Sequence, residues 1–270
     1  MIRLLKALLM ALCASAALAQ DWPKQKPIHI LVGFAPGSTT DLVARLVAPR
    51  LSDALGQSVV VENKGGAGGN VATLQVKRSA PDGYALLVTS VAFAVNPSLY
   101  ANAGYDPFTD FAPVILGPST PNIITVNPAL PVKNLQELVD LARREKLSYA
   151  SSGIGTTTHL SMERIKMSAK LDITHVPYQP AQAVGAAVAG HTQISSTSMP
   201  PAVAHAKAGR VRPIAVTSAQ RSPALPDVRE RLSQLGLDWR SNTPGEFAAF
   251  LRDEVQKWSR AVKDSGATAD

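Results

Sequence analysis

The sequence has 270 residues, 46% of them hydrophobic and 17% charged, which is the composition of a globular protein with one large domain or two of ordinary size. Its formal net charge of +7 comes from scattered Lys and Arg residues. Because they form no basic stripe interleaved with aromatic residues, we expect no nucleic-acid binding, and the charge supports only a mild attraction for anions.

The first twenty residues have the pattern of a secretory signal. Arg3 and Lys6 give a positive start, an apolar run covers residues 8–17, and a small-residue cleavage pattern, Ala-Leu-Ala, ends at Ala19. We expect cleavage after Ala19 and a periplasmic location. The apolar run is shorter than a membrane span and no later run is longer, so we expect no stable membrane insertion.

Cys13 is the only cysteine, and it lies within the predicted signal. A lipoprotein signal places a small residue next to its cysteine, whereas Leu12 precedes this one, so a lipid anchor is the weaker alternative. The mature chain is therefore expected to have no disulfide, no thiolate metal ligand and no cysteine nucleophile.

Predicted strands and helices alternate through the first part of the chain. Residues 28–34 are a nearly continuous apolar run, typical of a buried parallel strand, and apolar residues then repeat at helical spacing over 42–55. Strands at 59–61 and 85–88 flank a glycine-rich loop and a short helix at 71–78. This alternation predicts a parallel sheet with right-handed crossovers.

A second set of elements begins near Ala112. In chain order the predicted elements are strands at 114–116 and 123–126, a helix at 135–144, a strand at 148–150, a helix at 159–168, a strand at 174–176, a helix at 182–189, and further strand positions at Ile194, Val203 and 214–216. The last helix is the best marked, because residues 243–246 (Thr-Pro-Gly-Glu) are a capping box with proline at the first helical position.

Two loops share one design. Residues 33–41 and 151–159 each follow a predicted strand, are rich in Gly, Ser and Thr, and open into a helix. Small residues let the backbone approach a ligand, and the free N–H groups at a helix start favour an anion. Helix capping by Ser or Thr also accounts for such loops without any ligand.

Signatures of enzymes are missing from the sequence. It contains no G-x-S-x-G elbow and no phosphate-binding Gly-Lys-Ser/Thr, and residues 65–71 fail the dinucleotide fingerprint because Val71 replaces its last Gly or Ala. The five histidines are too far apart to form a local metal motif. His159 is the one catalytic candidate and has no identifiable nucleophile, so we expect no enzymatic activity, no cofactor and no metal.

Several spaced motifs occur in one order along nearly the whole mature chain. They are VGFAPG at 32–37 with Asp41, VEN at 61–63 with GAGGN at 66–70, PDGY at 81–84, NPSLY at 96–100, HVPY at 175–178, AVTS at 215–218 and PDV at 226–228. With these motifs the chain resembles the substrate-binding proteins of tripartite tricarboxylate transporters, the Bug or TctC-like family. The resemblance implies an α/β, two-lobed fold of the type II periplasmic-binding-protein kind, each lobe a mainly parallel sheet flanked by helices.

The resemblance also implies a function and a site. It implies a receptor that captures a small carboxylate (a di- or tricarboxylate, or an acidic amino acid) between its lobes, for a membrane transporter or a sensor kinase. The ligand would be held mainly by backbone groups, hydroxyls and waters. By position, the implied ligand-binding residues are Phe34, Ala35, Pro36, Gly37, Ser38, Thr39, Asp41, Gly69, Asn70 and Ser90 in the first lobe, and Gly155, Thr156, Thr157, His159, Tyr178 and Ala181 in the second.

The sequence departs from the family pattern in two places. Gln193 and Thr197 stand where the family commonly has aspartates, at positions expected to help shape the pocket. In addition, the PDV motif runs directly into Arg229, where relatives have a longer stretch, which indicates an internal deletion after Val228.

The expected organisation is a signal peptide at 1–19, the first part of lobe 1 at 20–111, lobe 2 at 112–228, and a shortened segment at 229–270 that returns to lobe 1. The main alternative to a working receptor is a shortened relic with weak or no ligand binding, because a crossover between the lobes would be missing. A hydrolase that uses His159 is a further alternative with no motif behind it.

Overall fold

The structure, a computed structural model, describes residues 22–217, 242–266 and 268–269. The predicted signal and the predicted deletion after Val228 lie outside these residues. The strands are β1 (Ile28–Val32), β2 (Val59–Asn63), β3 (Ala85–Val88), β4 (Asn122–Val126), β5 (Leu147–Ser151), β6 (Ile173–Pro177), β7 (Ile194–Ser198) and β8 (Arg212–Val216). The helices are α1 (Thr39–Leu55), α2 (Asn70–Lys77), α3 (Ala92–Leu99), α4 (Leu135–Ala142), α5 (Thr157–Ala169), α6 (Ala183–Val188), α7 (Met199–Lys207) and α8 (Pro244–Ser265).

The strands form two separate sheets, each the centre of one lobe. The first sheet has the order β2-β1-β3 and is parallel throughout. The second has the order β6-β5-β7-β4-β8, and β4 runs antiparallel to both of its neighbours while β5, β6 and β7 are parallel. The two-lobed α/β architecture with mainly parallel sheets is therefore as the sequence predicts, and β4 is the exception in direction.

Each lobe buries an apolar core between its sheet and its helices. In the first lobe Ile30 and Val32 of β1 pack against Ala44 and Ala48 of α1, whose small side chains let the helix lie close to the sheet. In the second lobe one face of the sheet packs against α4 and α5, with Tyr149 fully buried, and the other face packs against α6 and α7. These cores hold the strand ends, and the loops that follow them, in place.

Helix α8 contacts both lobes. Its start has the predicted capping box, in which Thr243 Oγ1 accepts from the Glu246 N–H and the Thr243 N–H donates to Glu246 Oε2. Leu251 in its first half packs against the α3 region of the first lobe, whereas Trp258 in its second half also contacts Leu160 of α5. The helix thus connects the first lobe to the helix that follows loop 151–159.

Two predicted strands are absent from the structure, and one observed helix was not predicted. Val203, expected in a strand, lies in α7, and residues 92–99, for which no element was predicted, form α3. Residues 114–116 form no strand: Val114 and Ile115 are 59% and 44% exposed, and the backbone of Leu116 bonds to the side chain of Asn242 instead. The Asn242 amide here satisfies the N–H and C=O groups that a neighbouring strand would otherwise pair.

Candidate functional site

Residues 33–41, called loop A, connect β1 to α1 and are shaped by their own hydrogen bonds. Ser38 is the N-cap of α1, and its Oγ accepts from the Asp41 N–H at 3.3 Å. Gly37 has a φ of +80°, a conformation that favours glycine. The N–H groups of Thr39 and Thr40, the first two residues of the helix, have no acceptor among the described residues, so this pair is available to a ligand.

Asp41 organises loop A through the hydrogen bonds of its carboxylate. It is 2% exposed, and its carboxylate accepts from the Gly37 N–H, from Arg45 Nε and from Asn63 Nδ2, each at 2.9 Å. Asn63 Nδ2 also donates to the Phe34 carbonyl. Burial raises the pKa of Asp41, but these hydrogen bonds and the Arg45 charge outweigh burial and keep the pKa below its usual value. The side chain therefore stays ionised and holds both ends of the loop.

Residues 151–159, called loop B, connect β5 to α5 with the same design. Thr156 is the N-cap of α5: its Oγ1 accepts from the His159 N–H at 3.4 Å and donates to the Gly153 carbonyl at 2.7 Å. The N–H groups of Thr157 and Thr158 have no acceptor among the described residues. Loop B thus offers a second pair of free helix-start N–H groups.

The two pairs of free N–H groups lie near each other because a short series of contacts joins them. Thr39 Oγ1 of loop A lies 2.7 Å from Ser198 Oγ at the end of β7. Ser198 is the register partner of Asn122 on β4, and Asn122 Oδ1 accepts from Thr157 Oγ1 of loop B at 3.3 Å. A Cβ added at Gly37 would also lie 3.7 Å from Ala181 Cβ of the second lobe. The loops therefore face each other where the two lobes meet, a region called the cleft.

Some of the remaining predicted site residues lie in or beside the two loops, and others have side chains that already accept hydrogen bonds from protein groups. The Phe34 ring lies against Gly69. The backbones of Gly33 and Gly69 approach so closely that a Cβ on Gly33 would lie 3.0 Å from Gly69 Cα. Asn70 is buried and its Oδ1 accepts from Asn96 Nδ2. Ser90 Oγ accepts from the Ala92 N–H at the start of α3. Loop A contains Ala35 and Pro36, loop B contains Gly155, and the segment just before Ala181 contains Tyr178.

His159 belongs to a stack of rings behind loop B. Its Nδ1 accepts from the Gly155 N–H at 3.3 Å, and its ring lies 4.3 Å from that of His175, which stacks in turn on Tyr149 at 4.8 Å. The Tyr149 hydroxyl donates to Glu163 at 2.7 Å. Since His159 is 6% exposed and its Nδ1 accepts from loop B, the ring supports the loop from behind.

A buried serine contacts a histidine behind loop B. Ser151 Oγ lies 2.7 Å from His175 Nε2, and it also accepts from the Gly153 N–H. Ser151 is fully buried, so no substrate reaches its oxygen. Over residues 22–217 and 242–266, no group of three His, Cys, Asp or Glu side chains is placed to bind a metal.

The histidine stack makes stability depend on pH. Burial lowers the pKa of His159 and, with help from the neighbouring His159, lowers the pKa of His175 to about 4. Both rings stabilise the fold when neutral, so this stability is complete above the usual histidine pKa of about 6.5 and is lost as the pH falls toward 4. We expect the melting temperature to fall over that range, and to fall less in His175→Gln.

The matched control for this prediction is His191→Gln, since His191 is exposed. Carboxylates also contribute to acid destabilisation, so the quantity to compare is the difference between each variant and the unsubstituted protein, measured by thermal denaturation from pH 7.5 to 4.5. Equal pH dependence in His175→Gln and His191→Gln would show that the stack does not titrate as described.

Gln193 is placed away from both loops, which corrects one sequence expectation. Its Oε1 accepts from both the N–H and the hydroxyl of Ser148, at the amino end of β5, whereas loop B follows the carboxyl end of that strand. Thr197 is fully buried within β7, and its hydroxyl has no hydrogen-bond partner among the described residues. Gln193 therefore does not shape the cleft.

Two residues at the cleft were missed by the sequence analysis. Asn122 and Ser198 lie opposite each other on adjacent strands, and each contacts one of the loops. A signal for Ser198 was present in the sequence, because it is followed by Met-Pro-Pro, and prolines in a first helical turn have no N–H for a serine to cap. Asn122 had no comparable signal.

Two α/β lobes with facing loops define the class of type II periplasmic solute-binding proteins. A solved R. palustris protein with adipate superimposes with a TM-score of 0.85 at 30% identity, covering 92% of this chain and 99% of its own. Rhodopseudomonas palustris MatC with bound malate gives a TM-score of 0.79 at 25% identity, with 88% and 99% covered. The family model described as "Tripartite tricarboxylate transporter family receptor" matches residues 43–249, and the chain belongs to this family.

Sequence relatives agree with this assignment. A UPF0065 protein in the tcbD-tcbE intergenic region of Pseudomonas sp. strain P51 is 33% identical, over 94% of this chain and 81% of its own. Protein BugT of Bordetella pertussis is 29% identical over 304 aligned positions, covering 94% of this chain and 93% of BugT. Because 304 positions exceed the 270 residues of the whole chain, this chain lacks residues that BugT has.

Proposed function

We propose that this protein is a periplasmic receptor, without enzymatic activity, that captures a small dicarboxylate or related acid between its lobes and delivers it to a membrane transporter. The observation that carries the proposal is the pair of helix starts at α1 and α5, whose four free N–H groups lie where the two lobes meet. Helix starts favour anions, and adipate and malate are bound in two similar structures.

Several further features support a receptor. No helix within the described residues is both long and apolar enough to cross a membrane. Ligand capture between lobes needs two bodies that move relative to each other, and the chain has two sheets with separate cores. We propose that lobe 1 comprises residues 20–111 and the segment after 228, and that lobe 2 comprises residues 112–228. Residues 1–19 would direct export and be removed by cleavage after Ala19.

The test is thermal denaturation and calorimetry with adipate and malate, with the neutral diamide adipamide as control. A ligand that binds only the native state at about 100 times its Kd should add about 2.7 kcal/mol to the free energy of unfolding. We expect at least one acid to raise the melting temperature and adipamide not to. A protein that unfolds cooperatively yet responds to neither acid, nor to a wider set of carboxylates, would favour the non-binding relic.

Salt should have little effect on binding. Neither loop A nor loop B contains Lys or Arg, so the anion is held by neutral N–H and O–H donors at short range. We expect the Kd of a bound acid to change by less than about threefold between low and physiological ionic strength, although screening shortens from roughly 30 Å to 8 Å. A loss of affinity of about tenfold or more over the same change in ionic strength would contradict this kind of site.

A further inference from the structure

Ser198 occupies a helix N-cap position without acting as a cap. It precedes α7, and its side chain makes no capping bond. The reason is local: the Met199 N–H donates to the Pro121 carbonyl at 3.3 Å, and Pro200 and Pro201 have no N–H. Serine at an N-cap normally accepts from the N–H of the second or third helical residue, and both of these residues are proline here. Its hydroxyl is therefore available for another role.

The hydroxyl of Ser198 contacts the other lobe. Its Oγ lies 2.7 Å from Oγ1 of Thr39, the first residue of α1, and the two residues are 159 positions apart in the sequence. Thr39 is β-branched, so its side chain has few alternative rotamers. Two hydroxyls have two hydrogens, and one hydrogen bond between them uses only one. The pair retains one O–H donor next to the free N–H groups of Thr39 and Thr40.

We propose that Ser198 is an additional residue of the ligand site, in which it bonds to Thr39 across the cleft and the pair donates its remaining O–H to the ligand. The acceptor is a carboxylate oxygen of the ligand that also accepts hydrogen bonds from the free N–H groups at the start of α1. This inference deepens the proposed function and rests on it for the ligand contact. The bond between the lobes does not depend on the ligand.

The first experiment measures closure without any ligand. Spin labels are placed on Asp53→Cys and Lys207→Cys, exposed positions of α1 and α7, with Cys13→Ser. Pulsed electron paramagnetic resonance then gives the distribution of distances between the lobes. We expect Ser198→Ala and Thr39→Val each to lower the ratio of closed to open protein by roughly two- to tenfold, as one net hydrogen bond predicts. The double variant should show no larger loss than either single variant.

The second experiment measures the Kd for adipate and malate by calorimetry. For an acid that binds the unsubstituted protein, Ser198→Ala should weaken binding roughly tenfold, since it removes either the O–H that donates to the charged carboxylate or the partner that holds the Thr39 O–H in position to do so. Thr39→Ser, which keeps the hydroxyl, should retain affinity. Thr174→Val, which removes an exposed hydroxyl on β6, is the control and should change neither readout.

The outcomes separate the two proposals. If neither acid binds the unsubstituted protein, the proposed function loses its support, while the distance measurement still decides the bond between the lobes. If the distances between the two spin labels are unchanged in Ser198→Ala and Thr39→Val, the proposed hydrogen bond between the lobes is wrong. Altered distances with an unchanged Kd would overturn the ligand contact, and additive losses in the double variant would show that the two hydroxyls act separately.

Discussion

Replacing Trp258 with alanine is expected to lower the free energy of unfolding by about 3–5 kcal/mol, the usual cost of deleting a buried large aromatic side chain. Trp258 is 9% exposed and packs with Leu99 of the first lobe and Leu160 of the second. Its Nε1 also donates to Glu254 Oε2 at 2.5 Å. Chemical denaturation monitored by far-ultraviolet circular dichroism provides the measurement.

The control for Trp258 is on the same helix. Phe250 is 39% exposed, so Phe250→Ala removes an aromatic ring from α8 with little loss of packing and should cost less than about 1 kcal/mol. Similar losses for the two variants would show that the cluster around Trp258 does not hold the helix. Trp258→Ala should also widen the distribution of distances between the lobes, since α8 contacts both of them.

A second large effect is expected for Gly155→Ala in loop B. Gly155 has a φ of +78°, and an added Cβ would overlap the side chain of Leu99, which is itself 3% exposed. The left-handed backbone alone costs an alanine about 1–2 kcal/mol, and the forced repacking should add about 1–3 kcal/mol. Because loop B presents the free N–H groups of α5, ligand affinity should fall as well.

Gly209→Ala is the matched control for Gly155→Ala. Gly209 has a φ of +65°, and an added Cβ would meet no atom within 4 Å, so only the backbone cost applies. The double variant Gly155→Ala/Leu99→Ala should relieve the overlap and show a positive coupling in a double-mutant cycle. If Gly155→Ala costs no more than Gly209→Ala, the contact between Leu99 and loop B is looser than the structure indicates.

Much of the fold was predictable because its elements have strong local signals. The capping box and proline at residues 243–246 marked the start of α8 correctly, and β3 was predicted with its observed limits. Both loops were placed correctly between a strand and a helix. In these cases periodicity, capping and tertiary packing all favour the same structure.

The failures have identifiable physical causes. Residues 92–99 are apolar and contain Pro97, which disfavours helix for the residue before it, yet burial of this segment against α8 stabilises α3. Val203 was predicted in a strand because it continues the alternation of strands and helices, whereas the two prolines at 200–201 suit a first helical turn. The direction of β4 depends on how distant segments meet, which no local pattern encodes.

The candidate site was only partly accessible from sequence. The loops could be proposed from their composition. The hydrogen bonds that Asp41 and Asn70 accept inside the protein, however, come from residues more distant in the sequence. The contact of Ser198 with Thr39 joins residues 159 positions apart. Such contacts arise only when two lobes have been assembled, so a single sequence does not reveal them.

The position of α8 has a consequence for how this protein folds during synthesis. Leu251 completes a core that also contains Phe93, so the first lobe depends on residues made after the whole second lobe. Contacts between such distant segments slow folding, because a long chain must be ordered before they form. At elongation rates of about 5–20 residues per second, the chain from Phe93 to Leu251 takes roughly 8–30 s to make, and the earlier segments would keep apolar surface uncovered for that time. Delayed folding of this kind would suit the proposed export, because a chain that has not yet folded can be moved across a membrane more easily than a folded one.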